Sequence, residues 1–298
     1  MPLLHFFLSL LLAPLLLGII NRTKAVFAGR KGPPLGQLYY DLAKLLRKGA
    51  VYSQTTTWVF RAGPLVGLAA VIAALALLPL AGRSAVLAFG GDIVVFAYLL
   101  GLARFFTVLA ALDTGSSFEG MGASREVQFA ALAEPALFLG LMALVRQTSQ
   151  LSLTAIYEHL PLGLEHQIGL ALVAAAWIIV LLAENSRLPV DDPSTHLELT
   201  MIHEVMVLDH GGPDLAFILY AAALKLWLLG ALLVNLMLSF FQGSSWIGGP
   251  LFLLGMGALA VLIGVIESSM ARLRLNQVPH LLVGAGALAA LAAVFVLR

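Results

Sequence analysis

Apolar residues run along this chain in long unbroken blocks, not in alternation. Eight blocks reach the roughly 20 mostly apolar residues that a helix needs to cross a bilayer. They cover about 3–21, 63–82, 85–112, 127–148, 167–184, 213–241, 248–268 and 278–297. Continuous apolar runs predict helices, because in lipid each segment must satisfy its own backbone hydrogen bonds. The expected fold is therefore an all-α polytopic membrane protein, one integral membrane domain over 1–298.

The polar intervals add detail. Pro33-Pro34 opens a stretch in which Leu35, Leu38, Tyr39, Leu42, Leu45 and Leu46 recur at helical spacing, with Gln37, Asp41, Lys44, Arg47 and Lys48 on the other face. This predicts an interfacial amphipathic helix over about 35–48. Gly115, Gly120 and Gly122 predict a turned second loop at 113–126, with Ser124 capping the next helix and Glu126 in its first turn. Asp192-Pro193 predicts a helix from about 193 to 209, stopped by Gly211-Gly212.

Lysine and arginine set the expected orientation. The intervals 22–62, 113–126, 185–212 and 269–277 carry twelve of the seventeen, the opposite intervals three, and Arg104 and Lys225 lie inside spans. The positive-inside rule puts the crowded loops in the cytoplasm and both termini outside. Arg22 and Lys24 follow the first apolar run instead of preceding it, so it reads as a retained span.

Composition narrows the function classes. The chain is 60% hydrophobic and 11% charged, with a mean hydropathy of +0.97, which excludes an ordinary soluble domain. A formal net charge of +1 offers nothing to nucleic acid. Cysteine is absent, so no thiolate-held iron–sulfur cluster belongs to this chain.

Against that background, seven of the sixteen carboxylates fall between Glu184 and Asp214. Glu184, Arg187, Asp191, Asp192, His196, Glu198, His203 and Glu204 make this the densest cluster of ionisable groups. His196, His203 and His210 are seven apart, about 10 Å from one to the next on a helix, too far to share a metal ion. His203-Glu204 lacks the second histidine of a zinc-protease motif. Within the spans, Asp92, Arg104, Glu134, Lys225 and Glu267 are costly to place in lipid and mark a functional interior. Arg104 and Lys225 are the expected partners of Glu134 and Glu267, either as a proton relay or as locks between helices.

Several of these stretches carry a resemblance. Arg30-Lys31-Gly32-Pro33 before the amphipathic helix, and Ala183-Glu184-Asn185-Ser186-Arg187-Leu188-Pro189, resemble the membrane subunit called subunit 1 or H of respiratory complex I. Asp113-Thr-Gly-Ser-Ser-Phe-Glu119-Gly-Met-Gly-Ala-Ser-Arg125, and Leu188 to Leu199, look closer to the formate hydrogenlyase branch of energy-converting membrane hydrogenases. Quinone-reducing relatives typically carry several glutamates where Ser194 and His196 stand here.

The resemblance implies a non-catalytic subunit that anchors a hydrophilic arm and links its redox chemistry to proton or sodium translocation. The coupling residues would be Glu184, Arg187, Asp191, Asp192, His196, Glu198, His203, Glu204, Glu134, Arg104, Lys225 and Glu267; the docking residues would be Asp113, Glu119, Arg125 and Glu126. Iron–sulfur clusters and a nickel–iron (NiFe) site would sit on partners: hydrogenase-like large and small subunits and a ferredoxin-like subunit, beside antiporter-like membrane subunits. The location implied is the cytoplasmic membrane of a prokaryote. Two other readings stand beside it: a quinone chamber bounded by 35–48, 113–126 and the Glu184 loop, and a stand-alone secondary transporter, for which the sequence lacks the expected internal repeat.

Overall fold

The computed structural model describes residues 2–161, 164–191, 201–239 and 248–296. Among them the secondary structure is helical: α1 (Pro2–Phe27), α2 (Gln37–Leu46), α3 (Trp58–Ala76), α4 (Asp92–Asp113), α5 (Ser117–Thr148), α6 (Leu153–Glu158), α7 (Leu164–Glu184), α8 (Gly212–Leu238), α9 (Gly248–Ser269) and α10 (Val278–Val296). Eight of these helices are long and apolar enough to cross a membrane, so the chain is a multi-pass membrane protein.

The eight predicted spans all appear, with shifted ends. The largest shift is in α5. It begins at Ser117, so most of the loop expected at 113–126 is helix, and Gly120, Gly122 and Ser124 lie within it. Ser124 caps nothing; its hydroxyl donates to the Met121 carbonyl at 2.9 Å. At 1.5 Å per residue the 32 residues of α5 extend ~48 Å, well beyond a hydrocarbon core of ~30 Å. Its first turns therefore project from the bundle and meet the 201–210 segment. The helix expected over 193–209 lies partly outside the described residues. Within them, the 201–209 portion forms a single 3-10 turn, Glu204–Val207.

The most enclosed element is α8, which packs against α1, α2, α3, α7 and α9, while α10 fits between α5 and α7. Its apolar residues point to every side, as expected of a helix surrounded by protein. By contrast α4 leaves Val94, Tyr98, Leu102 and Phe105 exposed along one face, the pattern of a helix turned to lipid.

Pro14 removes the N–H that would bond to the Leu10 carbonyl. Tyr220 of α8 donates its hydroxyl to that carbonyl at 3.0 Å, and Tyr39 of α2 donates to the next one, Leu11. Two tyrosines thus satisfy the opened turn of α1 and fasten three elements. The amphipathic helix α2 is confirmed as a short element with no buried residue, lying against α1 and α8.

Gly18 gives α1 its close approach to the chain entering α2: a Cβ there would overlap the Leu35 carbonyl. Gly18→Val should lower stability by about 1–3 kcal/mol through overpacking. Thermal unfolding of the detergent-purified chain measures it, and an unchanged transition would show that this contact does not hold α2.

Candidate functional site

The turn after α7 collects the charges. Arg187 N donates to the Leu182 carbonyl at 2.8 Å and Ser186 N to Ala183 at 3.2 Å, the double bond of a Schellman cap. Ser186 takes the left-handed position, φ 50°, that glycine usually fills. The cap reverses the chain directly after Glu184, so Glu184 and Arg187 reach different neighbours. The Leu188-Pro189 peptide that follows is cis.

On one side, Arg104 of α4 holds Glu184 of α7 and Glu134 of α5 through its two terminal nitrogens, and its Nε lies 3.4 Å from Glu126 of α5. Lys225 of α8 joins Glu184 at 2.7 Å. Four helices therefore meet in one ion network of two cations and three carboxylates. On the other side, Arg187 reaches Glu267 of α9 at 3.4 Å, and Lys24 near the end of α1 reaches the other Glu267 oxygen at 2.8 Å. Among the described residues this cluster holds two cations and one carboxylate. The expected pairing of Arg104 with Glu134 is present. That of Lys225 with Glu267 is not: Lys225 turns to α7, and Glu267 is claimed by α1 and the turn.

Asp191 closes the turn. It accepts from Arg272 at 2.8 Å and from the backbone N–H groups of Ile202 and His203 at 3.3 Å each. The Pro189 carbonyl also accepts from Leu273 N at 2.9 Å, so the segment after α9 straps the turn down. Asp192, His196 and Glu198 lie outside the described residues. Glu204 opens the 3-10 turn.

The four residues expected at a docking loop have partners inside the chain. Asp113 caps α3, accepting from Thr57 N at 2.6 Å and Phe60 N at 3.2 Å. Glu119 is buried and accepts from Asp209 N at 3.1 Å. Arg125 donates to the Met201 carbonyl at 3.0 Å, and Glu126 belongs to the Arg104 network.

A cavity of about 110 Å³ lies against this network. Its polar wall includes Arg104, Glu126, Glu184, His203, His210 and Lys225; Gly63, Pro64 and Gly67 of α3 form part of the apolar wall. His210 is buried and stacks on Phe60 with ring centroids 3.9 Å apart. Burial pushes the His203 imidazole below its usual value; Glu126, Asp191 and Glu184 oppose this and Lys225 adds to it. Burial likewise lowers His210, against Asp214 and Asp209. Burial also lowers Arg187, with Glu267 opposing. Among the described residues no group of three or more histidine, aspartate or glutamate side chains is placed to hold a metal ion.

Sequence reasoning missed Lys24, Arg272 and His210 as parts of this site. Lys24 and Arg272 follow apolar runs, where basic residues read as loop charges. His210 had a spacing signal, but nothing in the sequence indicated the Phe60 stack.

Arg104→Gln should cost at most about 3–5 kcal/mol, since it takes one of two cations from the buried Glu184 and the arginine partner from Glu126 and Glu134. Glu184→Gln should then cost less in that background than in the parent, which a double-mutant cycle of thermal unfolding reads; strictly additive losses would show that the pair is not coupled. A histidine whose pKa is lowered by folding contributes stability that is lost as pH falls below the unfolded value of about 6.5. Stability should decline from about pH 6.5 to 5, by at most about 1.4 kcal/mol per pH unit for one proton, and His203→Gln should flatten that slope.

Comparison with known proteins fits this architecture. The chain is 31% identical over 289 residues to formate hydrogenlyase subunit 4 of Escherichia coli (strain K12), covering 94% of this chain and 92% of that protein. It is 32% identical over 292 residues to hydrogenase-4 component C of the same organism, covering 96% and 92%. A chain in the structure of the membrane-bound sulfane sulfur reductase, an archaeal respiratory membrane complex, shares the fold with a TM-score of 0.82 at 22% identity, over 99% of this chain and 98% of that one. Residues 1–298 match the NADH dehydrogenase family from end to end, and with relatives above 30% identity over nearly the whole length the chain belongs to that family.

Proposed function

We propose that this chain is a membrane subunit of a multisubunit oxidoreductase complex, of the formate hydrogenlyase or energy-converting hydrogenase type. In it the chain anchors the redox arm and couples its chemistry to proton or sodium translocation. The observation that carries this reading is the four-helix ion network around Arg104, which begins at the α7 turn and runs sideways to Glu134. The two bacterial relatives, named as components of formate hydrogenlyase and hydrogenase-4, supply the type of complex.

Without cysteine the chain offers no thiolates, so its residues do not fit an iron–sulfur cluster or a nickel–iron site. Those centres belong to hydrogenase-like large and small subunits and a ferredoxin-like subunit, with antiporter-like subunits alongside in the membrane. Redox turnover on the arm changes the charge beside the turn. His203 responds through its proton occupancy, Asp191 and Arg187 through their pairing, and Glu184 passes the change to Arg104 and Lys225. The loops bearing most of the lysine and arginine face the cytoplasm of a prokaryote, with both termini outside.

A second reading keeps a quinone-type ligand, and the cavity beside Arg104 favours it. Of the three boundaries predicted for such a chamber, residues of the 113–126 stretch and of the Glu184 turn line the cavity, and none of α2 does.

Glu184→Gln and Asp191→Asn should leave the complex assembled but lower the ions moved per electron transferred. The measurement is ion uptake by inverted membrane vesicles set against redox turnover in the same sample. An unchanged ratio in both variants would sink the coupling role.

A further inference from the structure

A second cavity, of about 150 Å³, lies at the opposite end of the bundle from the ion network. The connection between α3 and α4, the short helix α6 and the last turn of α8 form its walls. Those walls are bonded to one another. Asn235 Nδ2 donates to the Pro79 carbonyl at 2.6 Å, Ala85 N donates to Thr154 Oγ1 at 3.1 Å, and Tyr157 donates to the Leu232 carbonyl at 2.8 Å. The cavity is thus held by the fold and is independent of the coupling role.

Its remaining valences are unequal. Arg83 lines the cavity with a buried Nε that has no hydrogen-bond partner. Glu158, an exposed side chain, lines it at its mouth, and among the described residues neither makes an ion pair. Thr154 keeps its hydroxyl proton to donate, and Asn235, with its amide N–H spent on Pro79, keeps its carbonyl oxygen to accept. One unpaired cation and one unpaired anion face the same small space. Each lowers its free energy if a ligand brings the opposite sign with hydrogen bonds.

We propose that this cavity binds the headgroup of a zwitterionic phospholipid bearing a primary ammonium, as in phosphatidylethanolamine. The phosphate meets Arg83 and Thr154; the ammonium meets Glu158 and the Asn235 carbonyl oxygen. A lipid fits better than a soluble phosphoethanolamine because the site lies at the ends of spanning helices, at headgroup depth. Leu238 of α8, part of the cavity wall, gives the first acyl carbons an apolar contact. A quaternary ammonium cannot donate to Glu158, and phosphatidylglycerol brings no cation for it.

The test is lipid retention by the full chain, purified from nanodiscs holding equal parts of phosphatidylethanolamine, phosphatidylcholine and phosphatidylglycerol, then stripped in detergent and read by mass spectrometry. Phosphatidylethanolamine should be retained about tenfold over the other two, the size expected for one charge-assisted hydrogen bond. Glu158→Gln should bring it down to the level of phosphatidylcholine. Arg83→Gln should lower the phospholipids together, and Arg83→Lys should restore them in part. The ratios are taken within each preparation, so a poorly folding variant does not mimic the result. Equal retention in the parent, or no effect of Glu158→Gln, would overturn the proposal. Displacement by soluble phosphoethanolamine as effectively as by a short-chain phosphatidylethanolamine would overturn the lipid assignment.

Discussion

Arg104 sits nine residues from the end of a membrane helix and turns its guanidinium inward, onto carboxylates of α5 and α7. Taking such ions out of water costs several kcal/mol each, recovered only when the partners are close and well aligned. The neighbouring elements can be understood from that requirement. α5 must present Glu126 and Glu134, eight residues apart on one face, so it must already be helical at 126. α7 must end with its last residue, Glu184, within reach of both Arg104 and Lys225. The small residues of α3 around Gly63 and Pro64 leave room beside these charges, and the cavity occupies it.

The Schellman cap after α7 then divides the charge in two. Among the described residues, Glu184 belongs to a cluster with one carboxylate in excess; Arg187, three residues later, belongs to a cluster with one cation in excess. Among the described residues the two imbalances are opposite in sign and lie on either side of a single turn. Movement of the turn disturbs both clusters together, because the same backbone carries Glu184 and Arg187. Asp191 and its bonds to Arg272, Ile202 and His203 fix where that turn ends. The proposed coupling role asks for two sites that respond to one displacement, and the turn joins two such clusters.

The spans were legible in the sequence because lipid demands long apolar helices, and the amphipathic α2 was legible from its period. The ionisable spans were legible as costly exceptions, and Arg104 with Glu134 was read as a pair. What could not be read was which face each helix turns to which neighbour. Lys225 and Glu267 looked matched by sign and position in their spans, yet α8 presents Lys225 to α7, whereas α9 packs Glu267 on α1. Apolar periodicity carries no signal for that choice when helices are hydrophobic all round. The second loop misled for a related reason: Gly120 and Gly122 suggested a turn, but Gly122 is there for proximity. A Cβ at that position would meet the Ile202 carbonyl and the Val205 and Met206 side chains.

The distribution of polarity within α8 limits the direction in which charge can move. Between Lys225 and Asn235 the helix carries no ionisable residue over about 15 Å. Leu226, Trp227, Leu228, Ala231, Leu232 and Val234 are all buried there. The ion network and the second cavity are therefore separated by tightly packed apolar side chains, a medium in which an isolated charge is strongly disfavoured. Sideways the situation is the reverse. From Lys225 the contacts pass to Glu184, to Arg104 and to Glu134 without a gap, and the Glu134 side chain is 38% exposed on the flank of α5. The chain of ionic contacts lies across the bundle and opens on its side, at the Glu134 flank of α5.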